Sequence, residues 1–230
     1  MSRNQISMPR TTVTTRAGEV YYCTFDGTTT DSISNIAPTF NVDTSYVTGK
    51  FNGTQALSLN TSTGKFSIPT PSNFMAVGTF SCWLLQSSLP GGSSLFLYSS
   101  NTGSGANNNR VILGAGVGIK FDYTDAEGTA HTLNGSSPNF TAGVWQHVAV
   151  TWQPGEMKLY VGGVSNGSAP SNTIFNARNQ ANLWILNRNG GGQNNGAIAN
   201  LIIYNRAISA DGIARMAART TPILVGEYFE

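Results

Sequence analysis

The chain has 230 residues, 40% of them hydrophobic, with 11 Phe, 8 Tyr and 4 Trp, which excludes a compositionally disordered polymer. Only 10% are charged, against about 25% in an average soluble domain, so the exterior must be built from Ser, Thr, Asn, Gln and Gly. The net charge of +2 gives no electrostatic ground for a nucleic-acid or membrane partner, and no stretch approaches the roughly 18 apolar residues of a membrane-spanning helix.

Residues 1–18 form the first segment. They carry Arg3, Arg10 and Arg16 without an acid and lack an apolar run long enough for an export signal. This reads as an extended arm that threads over a neighbouring subunit, touches nucleic acid or stays solvated. From Val20 to Arg206, apolar or alternating runs are separated by Gly, Asn, Ser and Pro clusters, which predicts β-strands. In order they are Val20 to Phe25, Ala56 to Leu59, Lys65 to Ile68, Thr79 to Gln86, Ser94 to Ser99 and Arg110 to Leu113. Gly118 to Thr124, Ala130 to Leu133, Trp145 to Trp152, Lys158 to Val161, Asn182 to Leu186 and Ala197 to Tyr204 follow. A dozen strands in one domain, residues 19–218, imply two stacked antiparallel sheets.

Two turns are explicit. Asp125-Ala126-Glu127-Gly128 closes one hairpin, and Gln153-Pro154-Gly155-Glu156 closes another with the fixed φ of proline and the freedom of glycine. Residues 101–109 and 187–195 are rich in Gly and Asn, without apolar anchors, and read as long exposed loops. One short helix is expected from Ser209, a capping residue, with Asp211 in the first turn and Ile213 and Met216 on the core side. The tail, residues 219–230, ends in Ile223-Leu224-Val225-Gly226-Glu227-Tyr228-Phe229 and is too apolar to prefer water, so a partner subunit is expected to hold it. Cys23 and Cys82 fall in predicted strands, too few and too far apart for a zinc finger, and read as buried thiols.

Several blocks carry a family likeness: TFSCWLLQ (Thr79 to Gln86), VWQHVAVTW followed by MKLYVGG, and the closing GAIANLIIYNRAIS before the helix. The opening YYCTFDGTTTD and the later GKFNGTQALSL belong to the same pattern. Their order resembles the laminin-G-like, or concanavalin A-like, jelly-roll family. The resemblance implies an all-β, two-sheet antiparallel jelly-roll sandwich with one short C-terminal helix, a fold that hosts lectins, glycosidases, adhesion modules and virion proteins alike. Two departures stand out. Ala199-Asn200 occupies the place of the family's usual acidic pair, and Ile185-Leu186-Asn187-Arg188 replaces its Ile-Gly-Arg.

A glycosidase needs two carboxylates about 5 to 10 Å apart. The nearest approach is Asp125 and Glu127, both in a hairpin turn that favours solvation. His131 and His147 have no Cys or His at ligand spacing and read as rings hydrogen-bonded or packed on a sheet. Asp26, Asp31 and Asp43, in loops near the first strands, would be the ligands if a calcium ion bound; the other reading is that they form Asx turns. No other cofactor is expected. Most aromatic residues read as core, with Trp184 and the following Asn187 and Arg188 as the exposed candidates for contact with a glycan.

The neutral exterior, the lack of an export signal, the extended termini and the missing carboxylate pair point to a non-enzymatic structural and interaction protein. The expected setting is a bacteriophage virion, as a capsid decoration (cement) or tail-associated subunit assembled in the host cytoplasm. Its partners would be copies of itself or other capsid or tail proteins, reached through Arg3, Arg10, Arg16, Tyr228 and Phe229. The alternative is a carbohydrate-binding, lectin-like module or adhesin.

Overall fold

A computed structural model describes residues 18–59, 63–71, 77–87, 95–99, 110–114, 118–124, 129–136, 141–169, 181–186, 196–227 and 229. Within them the twelve expected strands form, and three short polar segments add three more. In chain order these are β1 (Glu19–Cys23), β2 (Phe40–Val42), β3 (Ser45–Thr48), β4 (Gln55–Leu59) and β5 (Lys65–Pro69). Next come β6 (Gly78–Gln86), β7 (Leu95–Ser99), β8 (Arg110–Gly114), β9 (Gly118–Thr124) and β10 (Ala130–Asn134). The series closes with β11 (Gln146–Gln153), β12 (Glu156–Val161), β13 (Val164–Ala169), β14 (Asn182–Ile185), β15 (Gly196–Tyr204) and the helix α1 (Ala210–Ala217).

These strands pair antiparallel into two sheets. The first has the order β13-β12-β11-β6-β15-β4-β3, with β1 also paired to β15; the second runs β10-β9-β8-β7-β14-β5-β2. Alternation explains the layering, because successive side chains point to opposite faces. Phe66, Ile68, Phe121, Leu133, Leu183 and Ile185 of the second sheet meet Phe80, Leu84, Val148, Val150, Ile198 and Ile203 of the first in one core. Cys23 and Cys82 lie in it as free thiols, and burial pushes the Cys23 thiol up to about 12.

The turn at Pro154-Gly155 is as the sequence implies, while Asp125 to Gly128 lie outside the described residues. Gln153 pairs with Glu156 across Pro154-Gly155, where Gly155 takes φ +88. Gly162 and Gly163 then take φ +61 and +81, the two positive values of a tight hairpin turn, and fold β13 back onto β12. A Cβ on Gly163 would lie 2.8 Å from Ala217 Cβ and 3.0 Å from Ala214 Cα, so glycine also lets the helix rest on this turn. Ser209 caps α1 by accepting a hydrogen bond from Gly212 N at 3.1 Å, and Ile213 and Met216 are buried as expected. Replacing Ser209 by Ala is expected to cost about 1 kcal/mol in urea denaturation.

Strand β15 departs from simple alternation, since all nine of its residues are buried. Its inner side chains, Ile198, Leu201 and Ile203, enter the core between the sheets. Outward, Ile202 and Tyr204 pack with Tyr22, Ile213, Met216, Ile223 and Phe229, while Ala197 and Ala199 pack with Phe51 and Trp83. A bulge between Ala199 and Ile202, with Asn200 at φ +49, resets the facing so that Leu201 points inward.

Part of the tail buries its apolar residues on its own chain, while Leu224 remains exposed. Ile223 and Phe229 seal the first sheet of their own chain. Tyr22 Oη donates to the Ile223 carbonyl, Arg206 Nη2 donates to the Phe229 carbonyl at 2.7 Å, and Gly226 N donates to Glu19 Oε2 at 3.0 Å. Arg219 and Glu227 form an ion pair at 3.0 Å that ties the tail to itself.

Candidate binding face

The middle strands of the first sheet are covered on both sides, which turns attention to the outer face of the second. Register places one residue from each of its seven strands in a transverse row. Phe40 on β2 faces Ser67 on β5, which faces Trp184 on β14, which faces Ser99 on β7. Ser99 then faces Arg110 on β8, Arg110 faces Asp122 on β9, and Asp122 faces Thr132 on β10. With strands about 4.8 Å apart, the row is about 29 Å long. Phe66, Leu183, Phe121 and Leu133, which neighbour the row along their strands, all enter the inter-sheet core, so Ser67, Trp184, Asp122 and Thr132 belong to the opposite face.

An aromatic pair stands at one end. The Phe40 ring, 41% exposed, stacks on Trp184 with centroids 5.2 Å apart and planes inclined by 27°. Beneath them the Ser67 hydroxyl is buried without a hydrogen-bond partner. At the other end Asp122 accepts a hydrogen bond from Thr132 Oγ1 at 2.8 Å and lies 3.7 Å from Lys120 Nζ. Lys65 and Val42 face one another beside Phe40, and Lys65 has no ion-pair partner among the described residues.

The expectation of an exposed Trp184 is corrected: the ring is only 3% exposed, because β14 is an interior strand and Phe40 lies against it. Asn187 and Arg188 lie outside the described residues. Among the described residues of this face an accessible aromatic is Phe40, on a three-residue strand too short for alternation to announce, although Phe40 and Val42 two positions apart were its trace in the sequence.

Elsewhere the candidate residues that fall among the described residues do not assemble a reactive site. Asp31 accepts from the backbone N–H groups of Tyr22 at 2.8 Å, Ile33 at 3.1 Å and Ser34 at 2.6 Å, which makes it a turn-forming residue. Asp26 accepts from Gln55 N and Asp43 from Thr63 Oγ1. Among the described residues no three His, Cys, Asp or Glu side chains converge, so the three aspartates are not brought together in one cluster. His147 Nε2 lies 2.9 Å from Ser81 Oγ, but the ring is 1% exposed and edge-on to Trp83, and burial pushes its pKa down to about 3. A pair so enclosed holds the sheet and cannot reach a substrate. Asp125, Glu127, Arg3, Arg10, Arg16 and Tyr228 lie outside the described residues, and Phe229 is buried on its own chain.

Comparison with solved structures places the fold. The binding domain of Paraclostridial Mosquitocidal Protein 1 is similar over 87% of this chain and 52% of its own, with 15% identity and a TM-score of 0.71. This chain thus spans about half the length of that structure. Domain 4 of AbnA, an extracellular arabinanase from Geobacillus stearothermophilus solved in complex with arabinotriose, is similar over 87% of this chain and 98% of its own (21% identity, TM-score 0.63). A Trypanosoma rangeli sialidase is similar over 87% of this chain and 32% of its own (16% identity, TM-score 0.64). At such identities the likeness concerns the fold alone. No curated protein matches the sequence. The model of the concanavalin A-like lectin/glucanases superfamily matches residues 51–214, most of the sandwich from the loop before β4 into α1. Two antiparallel sheets in this order, together with that match, make the chain a member of the concanavalin A-like lectin/glucanase superfamily.

Proposed function

We propose that this chain is a lectin-like carbohydrate-binding module that receives glycan on the outer face of its second sheet. The observation that carries the reading is the Phe40 end of the transverse row, where an exposed phenyl ring is stacked on a buried indole with the Lys65 side chain beside it. Sugars present an apolar face of C–H groups and a rim of hydroxyls, which calls for an aromatic platform flanked by hydrogen-bonding groups. The stacked Trp184 fixes the Phe40 ring in place, so little side-chain entropy is lost when a sugar lands on it.

Binding without turnover fits the same face. Asp122, the carboxylate of the row, is engaged by Thr132 and Lys120, whereas glycoside hydrolysis needs a pair of carboxylates. Support also comes from the fold relatives, two of which are the binding domain of a mosquitocidal protein and an arabinanase domain solved with arabinotriose. The role of a virion subunit rests on composition and on the arm, and gains no further support from the described residues.

The test is a glycan array followed by titration calorimetry on the best ligand. Phe40→Ala is expected to weaken binding at least tenfold while leaving the circular dichroism spectrum unchanged, since a ring so exposed contributes little to the core. Unaltered affinity in this variant, or an array without any saturable binder, overturns the reading. Trp184→Ala is the wrong probe because the indole is buried structure.

A further inference from the structure

We infer that the Phe40 end of this face selects a sugar bearing a carboxylate, a uronic or sialic acid unit, with Lys65 as the residue that recognises the charge; this rests on the proposed function above. The argument begins with register. Phe40 and Val42 occupy the same face of β2, opposite Ser67 and Lys65 of β5, so the four side chains form a small square beside Trp184. Lys65 is the cation of that square. It is half-buried, its neighbours Val42 and Ser67 are uncharged, and it has no ion-pair partner among the described residues. Other lysines are already engaged: Lys120 with Asp122 at 3.7 Å, Lys158 with Glu156 at 2.6 Å, and Lys50 over the Trp83 ring at 4.5 Å.

Phe40 lies directly across from Ser67, and Val42 across from Lys65, so the phenyl ring and the lysine stem stand diagonally across the two strands, about 7 to 8 Å apart. The Ser67 hydroxyl is buried and takes no part. A pyranose stacked on the phenyl ring has one edge on the side of Lys65. A neutral sugar leaves the ammonium unmatched. A carboxylate on that edge answers it, and the partly desolvated setting of Lys65 strengthens that contact relative to open water.

The experiment is a glycan array carrying sialylated and uronic-acid oligosaccharides together with their neutral parents, repeated for the wild type, Lys65→Gln and Lys65→Arg at two salt concentrations. The wild type is expected to prefer the acidic member of a pair, with binding that falls as salt rises. Lys65→Gln is expected to bind the acidic glycan about tenfold more weakly, the loss of one charge-assisted hydrogen bond, with the neutral parent unaffected. Lys65→Arg is expected to restore the preference. Equal binding of acidic and neutral partners by the wild type, or an acid preference that survives Lys65→Gln, overturns this inference and leaves the lectin reading standing. An array without any binder overturns both.

Discussion

Removal of residues 219–230 is expected to destabilise the sandwich by about 3 to 6 kcal/mol, the worth of fully burying two large apolar side chains such as Ile223 and Phe229. Domains of this kind hold about 5 to 15 kcal/mol in total, so the truncated chain should sit near its unfolding threshold at room temperature. The loss extends beyond hydrophobic cover. Tyr22, Arg206 and Glu19 each surrender a hydrogen bond to the tail, and Ile202 and Tyr204 become open to water on the outer side of β15. Urea denaturation of the full and truncated chains measures the difference. A change below about 1 kcal/mol would mean that the tail rests on the sheet without supporting it.

Acid should weaken the fold through His147. Its unfolded pKa is near 6.5, and desolvation in the fold pushes it down to about 3. A base with a depressed folded pKa contributes stability above its unfolded value and loses it as pH falls, because the unfolded chain then binds a proton that the native chain refuses. The expected slope is about 1.4 kcal/mol per pH unit, beginning below pH 6.5. Glu19 runs the other way. Burial raises its carboxyl above the usual 4.5, so its contribution grows as pH falls through the raised value and flattens the loss toward pH 4.5. Denaturation midpoints measured between pH 7 and pH 5 test this, with His147→Gln as the comparison. Equal slopes in the two proteins would remove His147 as the cause.

Much of the fold was legible because the sequence states its turns and its core strands in conflict-free terms. Pro154-Gly155 fixed a hairpin, Ser209 fixed a helix start, and alternating runs such as Gln146 to Gln153 fixed strands. What escaped has a common cause. β2 and β3 are three and four residues long and largely exposed, and β13 reads VSNGSA, so none of them carries the apolar period that marks a strand. The Gly162-Gly163 pair was the available signal for β13, since two adjacent residues with positive φ suit a tight hairpin. The binding face was legible only in part, because Trp184 was found as a residue while its neighbour across two strands, Phe40, lies 144 positions earlier and is joined to it solely through register.

The place of β15 in the first sheet bears on how the protein comes into being. It lies between β6 and β4, and it also gives β1 its partner, so three segments made early in translation share an edge supplied only by Gly196–Tyr204. Until the ribosome has released that stretch, the nascent sheet is split in two, β1 lacks its strand partner and β4 has only the short β3 beside it. The chain is thereby committed to late, all-at-once closure with long-range contacts, the kind of topology that folds slowly and benefits from a chaperone during synthesis.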